Sequence, residues 1–237
     1  MNTTRPLPRL ACFSLLISLG LLALGCSRTQ PAAAQSESQE VAQTMTLDSK
    51  RTPAGKSSAG LLNEPLAQTP ILEDDGTFPN NQVLPVMIYK NAVKLPDDDP
   101  AAVFEHLFAS NQWGRSWRNG IYGYHHYHST AHEALGCYSG SAKVQLGGPN
   151  GITLTLEAGD VVVLPAGTAH KNLGDTSDFG VVGAYPRGQS YDMNSGREGE
   201  RPRADKNIAD VPLPEADPIY GPDGPLMEKW SDKQQNP

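Results

Sequence analysis

The chain is poor in the features that would place it with nucleic-acid binders, disulfide-stapled secreted domains or membrane-spanning proteins. Its net charge is -7. The only clustered cations, Arg197, Arg201, Arg203 and Lys206, alternate with Glu198, Glu200 and Asp205, so they read as a solvated loop and give nucleic acid no basic face. Cysteine is scarce, with three residues. Cys12 and Cys26 lie in an N-terminal targeting stretch, which leaves Cys137 without an intrachain partner and excludes a disulfide framework. A lone thiol in an apolar strand context is expected to be a buried packing residue rather than a nucleophile. The N-terminal apolar stretch, Leu10 to Gly25, is short for a membrane span. No second His-x-His pattern occurs, which excludes a tandem repeat of the segment described next.

Histidine is also sparse, yet unevenly placed. Of the six histidines, His125, His126, His128, His132 and His170 fall in two short segments, which is unusual for residues used only in packing. His126 and His128 are two apart, so on extended backbone both rings face the same way. Glu133 follows on a return strand, and the turn Pro165-Ala166-Gly167 after the run Val161-Val162-Val163-Leu164 can swing His170 over the same face. Three imidazoles and one carboxylate form a candidate site for one divalent metal ion. His125 points away from His126, and His132 precedes Glu133; both are expected at the surface or behind the ligands. His106 lies in a helix and carries no role.

These residues match a known pattern. Gly120, His126, His128, Glu133 and Gly140 fit the first cupin signature, and Gly159, Pro165, Gly167 and His170 fit the second, whose closing Asn falls on Gly174 here while Asn172 stands two residues early. Beyond the signatures, the stretch from about Leu72 to Trp230 resembles the YjlB-like bacterial monodomain cupins, through Asp-Asp-Gly-Thr-Phe-Pro-Asn-Asn, Ser-Trp-Arg-Asn-Gly-Ile-Tyr and Tyr-Gly-Pro-Asp-Gly-Pro-Leu. The resemblance implies an all-β jelly-roll β-barrel with one or two short peripheral helices, and a metal held by His126, His128, Glu133 and His170. It also implies a homodimer.

Residues 1–26 read as a signal peptide: Arg5 and Arg9 precede the apolar stretch, and Leu22-Ala23-Leu24-Gly25-Cys26 resembles a lipobox that would make Cys26 a lipid-anchored first residue. Ala32-Ala33-Ala34 is a rival cleavage site, which would release a soluble protein. Residues 27–66, rich in Ser, Ala, Gln, Thr and Pro, are expected to be a disordered tether, and residues 67–237 one domain with an irregular tail after Pro186. Within that domain strands are expected at Val83–Tyr89, Ile121–His128, Glu133–Tyr138, Ala142–Leu146, Ile152–Leu156, Asp160–Leu164 and Phe179–Tyr185. Asn150-Gly151 signals a hairpin. A helix is expected after the cap Asp99-Pro100, with Val103, Phe104, Leu107 and Phe108 on its buried face.

Strand parity would carry Arg118, Tyr122 and Tyr124 to the same side as His126 and His128, provided the strand runs unbroken back to Arg118. There Arg118 is a candidate hook for a carboxylate substrate and Tyr124 a candidate hydroxyl donor to a metal-held oxygen, although aromatics in strands more often fill a core. Trp113 and Trp117 are expected to pack. The donor set suits Fe, Mn, Co, Ni, Cu or Zn; without adjacent arginines for twin-arginine export the chain would cross unfolded and load metal outside, where the affinity order favours Zn or Cu. Two functions remain open: a metal-dependent enzyme on a small polar molecule, of oxygenase, isomerase or decarboxylase type, or a non-catalytic envelope protein that captures a metal or small ligand.

Overall fold

The computed structural model describes residues 60–235. The expected signal peptide, the lipobox Cys26 and most of the expected tether lie outside the described residues. The last part of that tether is engaged: Leu62 forms a bridge with Val93, and the Asn63 amide donates to the Ala92 carbonyl at 3.0 Å.

Nine strands and three helices follow in chain order. They are β1 (Ala67–Gln68), β2 (Met87–Tyr89), α1 (Pro100–Ser110), β3 (Trp113–Asn119), β4 (Glu133–Ser139), β5 (Ser141–Leu146), β6 (Ile152–Glu157), β7 (Val161–Leu164), β8 (His170–Asp175), β9 (Gly180–Pro186), α2 (Arg203–Asp210) and α3 (Pro225–Gln235). The strands form a six-stranded sheet in the order β1-β2-β7-β4-β9-β3 and a three-stranded sheet in the order β6-β5-β8. All pairings are antiparallel. This is the jelly-roll class that the resemblance implies.

Side-chain alternation explains how the layers close. Ile88, Val162, Leu164, Leu135, Cys137 and Val181 turn inward from the large sheet and meet Ala142, Val144, Leu146 and Leu156 of the small sheet in one buried cluster. Their neighbours Met87, Tyr89, Val161, Val163, Ala134, Val182 and Ala184 turn outward and pack under α1 and the C-terminal segment, against Phe104, Leu107, Phe108, Ile219, Leu226 and Trp230. The large sheet is therefore covered on both faces. That is why β7 is apolar at every position, Val-Val-Val-Leu, whereas β5 alternates buried and open residues. At Gly136 a Cβ would lie 2.4 Å from the Phe104 ring, so glycine lets α1 settle onto β4. A side chain there would cost about 1–3 kcal/mol through displaced packing.

Helix α1 begins as expected, with the Asp99 carboxylate accepting the Ala102 amide and Pro100 in the first turn. Other expectations are corrected. β2 is three residues long, because the Asn81 side chain holds the Val83 and Leu84 amides in a turn and Pro85 follows. The β5–β6 hairpin forms, but its left-handed residues are Gly147 and Gly148 rather than Asn150 and Gly151. The tail is not irregular throughout: it carries α2 and α3, which brings the peripheral helices to three. Asp217, fully buried, accepts from the Tyr89 hydroxyl and from the Ile219, Tyr220 and Leu226 amides. The Trp230 indole donates to the Pro85 carbonyl at 2.9 Å. In the supposed solvated loop, Arg201 is held by Asp74 and Asp205.

Candidate metal centre

The segment expected as the strand Ile121–His128 is not one. β3 ends at Asn119, and from Gly120 to His132 the chain makes only single bridges, at His126 with His170 and at Tyr127 with Asn194. Its backbone bonds run along the start of β8: the His126 amide donates to the His170 carbonyl (3.2 Å), the His170 amide to the His126 carbonyl (2.9 Å) and the Asn172 amide to the Tyr122 carbonyl (2.9 Å). This short antiparallel contact is enough to preserve alternation. Tyr127 turns to Phe78 and Glu200, and His125 also turns to Phe78. His126 and His128 turn the other way, toward His170.

The three rings converge. Nitrogen atoms of His126, His128 and His170 all lie within 4.8 Å of one another, and all three side chains are buried. Each Nδ1 faces a backbone carbonyl: Tyr124 for His126 (3.4 Å), Asp192 for His128 (2.5 Å) and Thr168 for His170 (3.2 Å). A proton on Nδ1 that is shared with a carbonyl leaves the Nε2 lone pair free, which is the tautomer a metal ligand requires.

Glu133 opens β4 on the inward face, in line with Leu135 and Cys137. Its Oε1 accepts from the Tyr185 hydroxyl at 2.9 Å, and the Tyr185 oxygen accepts from the Trp117 indole at 2.9 Å. Its Oε2 stands 3.5 Å from Nε2 of His128 and 3.3 Å from Nε2 of His170. Those contacts are close in charge but poor in hydrogen-bond geometry, and this buried oxygen has no hydrogen-bond partner. An oxygen left so beside two of the three clustered imidazoles has the free coordination that a divalent cation would complete. Burial pushes the Glu133 carboxyl up, but the His128 and His170 imidazoles outweigh it and hold the group below the usual carboxylate range. Burial, reinforced by His170 and His128, drives the His126 imidazole down to about 3. His128 goes the other way: burial lowers it, and the Glu133 charge reverses the sign. Burial and Glu133 raise the Tyr185 hydroxyl, so it stays a donor.

Several residues behind the ligands hold them in place. The turn before β8 is clamped on every side: the Gly167 amide donates to the His128 carbonyl (2.8 Å), the Ala166 amide to Nδ1 of His132 (2.9 Å), and the Ala169 amide to Oδ1 of Asn80 (3.1 Å). The Asn81 side chain donates to the Ala166 carbonyl. Gly167 has φ of 94°, and a Cβ there would come within 2.4 Å of the Asn80 carbonyl, so the turn accepts only glycine. His132 is fully buried against Trp230, and burial drives it down to about 3, which keeps it neutral and an acceptor. Asp192 accepts from the Ser129 amide and hydroxyl with its carboxylate while its carbonyl takes Nδ1 of His128.

A cavity of about 240 Å³ opens over the cluster, walled by Trp117, Ile121, Tyr122, Leu135, Tyr185, Tyr191 and Met193 among others. Arg118 contributes to its wall, but the guanidinium is bound to Glu105 and Asp99, with contacts of 2.7 Å to each. Its cross-strand partner Val182 faces the helices, so the charge of Arg118 is directed to the α1 side, because the unbroken strand that parity required is absent. Tyr122 lines the cavity; Tyr124 is half exposed and stacks on Tyr122 at 5.0 Å. Trp117 walls the cavity while packing across Gly183, where a Cβ would meet its ring at 2.2 Å. Asp192, Tyr185, Tyr191 and Met193 had no signal as site residues. Of these, only Tyr185 was within reach, from its position on the expected strand Phe179–Tyr185.

No protein-family model matches the chain. It is 41% identical over 163 residues to the protein YjlB of Bacillus subtilis (strain 168), described as uncharacterized, covering 69% of this chain and 96% of that one. Solved structures similar to it include a DUF861 family protein from Thermotoga maritima (20% identity, TM-score 0.26, covering 41% of this chain and 96% of that one). Another is a conserved protein with a double-stranded beta-helix domain from Klebsiella pneumoniae (17% identity, TM-score 0.27, covering 65% of this chain and 99% of that one).

Proposed function

The chain belongs to the YjlB-like cupins, and from that premise we propose that it is a metal-dependent enzyme acting on a small molecule, its ion held by His126, His128, His170 and Glu133. One observation carries this reading: three imidazoles with their Nδ1 atoms turned to backbone carbonyls converge at the floor of an open cavity, two of them, His128 and His170, beside an unpartnered carboxylate oxygen. The donor chemistry fits a borderline divalent ion. When bound, such an ion would polarise a substrate oxygen as a Lewis acid or serve as a redox centre.

The protein's own contribution is position and exclusion of water. Tyr185 holds Glu133 so that Oε2 rather than Oε1 is presented, and Asp192 sets the ring of His128. Leu135, Ile121 and Trp117 provide an apolar wall that strengthens polar contacts inside. The volume favours a substrate below drug size, since pockets for such ligands run roughly 300–1,000 Å³. The same cavity favours catalysis over mere capture of a metal, because a storage site gains nothing from space above its ion. The expected export through residues 1–26, with anchoring at Cys26, favours zinc or copper as the resident ion.

Metal analysis of protein recovered from the cell envelope tests the reading. About one equivalent of a divalent ion is expected, with zinc or copper predominant. Protein that stays metal-free after incubation with zinc, copper, iron and manganese would reject the centre; predominant iron or manganese would reject the choice of ion.

A further inference from the structure

We propose that the cavity takes a small molecule with a flat unsaturated ring and no more than one negative charge, rather than a small polyanion. This deepens the metal-centre reading and rests on it for the charge count. Three neutral imidazoles and one carboxylate leave a divalent ion with a net charge of +1, which a single negative charge on the ligand neutralises. A dianion would leave an uncompensated charge in a buried space. No other cation is there to balance it: Arg118 is the one basic residue among the described residues of the wall, and its guanidinium already carries the carboxylates of Asp99 and Glu105.

The rest of the wall is suited to a ring. Tyr122, Tyr185, Tyr191 and Trp117 all line the cavity, and Tyr185 stacks on Tyr191 with centroids 4.6 Å apart and planes 24° apart. Tyr122 and Tyr191 are 48% and 43% exposed although each stacks on a neighbour, Tyr124 and Tyr185, so part of each ring still meets water at the mouth. Water-exposed faces of this kind are covered when a flat ligand enters. A cavity of roughly 150 Å³ already holds benzene. At about 240 Å³, this one accommodates a substituted ring with an oxygen left to reach the floor.

Calorimetric titration of the zinc-loaded protein with 4-methylcatechol and with oxalate tests the proposal, since both can chelate through two oxygens but differ in ring and charge. 4-Methylcatechol is expected to bind at least about tenfold more tightly. Tyr122→Ala and Tyr191→Ala should each weaken it by about three- to tenfold, with Tyr122→Phe close to wild type, because one aromatic contact is worth that much. Oxalate binding as tight or tighter, above all if Arg118→Gln abolishes it, overturns the proposal, as does 4-methylcatechol binding that ignores both alanine variants. Zinc content measured on the same samples separates the two readings. Protein that holds no zinc sinks the metal centre, and the tyrosine dependence is then read on the metal-free protein; zinc-loaded protein that prefers oxalate sinks only the ring.

Discussion

Glu133 and the pair His126–His128 bring their side chains to one point from very different supports. Glu133 stands on β4, hydrogen-bonded on both sides, to β7 through Leu164 and to β9 from Ala134 onward, and covered by α1 on the far face. The histidines stand on a stretch with no strand of its own, held by single bridges to His170 and Asn194 and by the Asp192 carboxylate on Ser129. One donor is therefore part of the scaffold. His126 and His128 lie on a strap whose geometry depends on the tail. Donors on rigid elements need little from their neighbours, whereas donors on a strap depend on every tie.

Removing donors should abolish the contrast altogether. His128→Ala and Glu133→Ala are each expected to lower zinc affinity by more than about 100-fold, beyond the roughly 10–100-fold of an outer partner. Metal content by mass spectrometry reads this, with His106→Ala retaining wild-type content. Equal retention in all three variants would remove the four residues from the metal centre.

The ties should then separate strap from scaffold. Asp192→Ala frees both Ser129 and the loop that carries the carbonyl facing His128, so it should cost zinc affinity roughly 10–100-fold. Tyr185→Phe removes the hydrogen bond to Oε1 of Glu133 and the acceptor of the Trp117 indole, but β4 already sets the position of Glu133, so the loss should fall at or below the lower end of that range. Competition with a chelating dye measures both. A larger effect of Tyr185→Phe would invert the comparison.

Much of the scaffold was legible in the sequence and the strap was not. The strands Glu133–Ser139, Ser141–Leu146, Ile152–Glu157, Val161–Leu164 and Gly180–Pro186 agree with expectation to within two residues at each end, because buried apolar runs bounded by glycine and proline are a strong local signal. β3 was missed: it carries charged and small residues, a left-handed Arg115 and a register shift between Gly114 and Trp117, none of which alternates. Conversely Ile121–His128 has the aromatic, β-prone composition of a strand, yet its bonds go out to β8 and to Asn194. Composition reports local preference; which partner a segment finds is a long-range property. His126, His128, Glu133 and His170 could be named together because spacing survives the missing strand. Arg118 could not be placed, since parity does not survive it. Helix α3 left a trace in Pro225 at its start and in Leu226 and Trp230 four apart, whereas α2 buries only Ala204 and its trace, Ala204 and Ile208 four apart, is short and weakly apolar.

Metal binding should tighten the strap more than the sheet. In hydrogen exchange, zinc is expected to slow the amides of Tyr122–Ser129 by at least about tenfold and those of Leu135–Cys137 by much less, because binding stabilises first what opens most easily. Equal protection of both segments would show that they open together.

The smallest effect belongs to the core. Burial pushes the Cys137 thiol up to about 12, so the reactive thiolate is suppressed below that pH. Iodoacetamide labelling at Cys137 of the folded protein, read by peptide mass spectrometry, should stay negligible and should not rise between pH 7 and 9, as an ordinary thiol's would, with or without zinc. Ready labelling in that range would mean that the two sheets part in the native state.

Residues 217–230, through Asp217, Leu226 and Trp230, seal the outer face of the six-stranded sheet, and they leave the ribosome after every strand of it. Until they emerge, the growing polypeptide offers a greasy, unshielded surface made of its earlier strands, so maturation has to await this segment. A shortened version trimmed to the jelly roll alone, stopping near Pro186, would expose that surface permanently and clump. Anyone isolating the metal-binding part for spectroscopy has to keep this late segment.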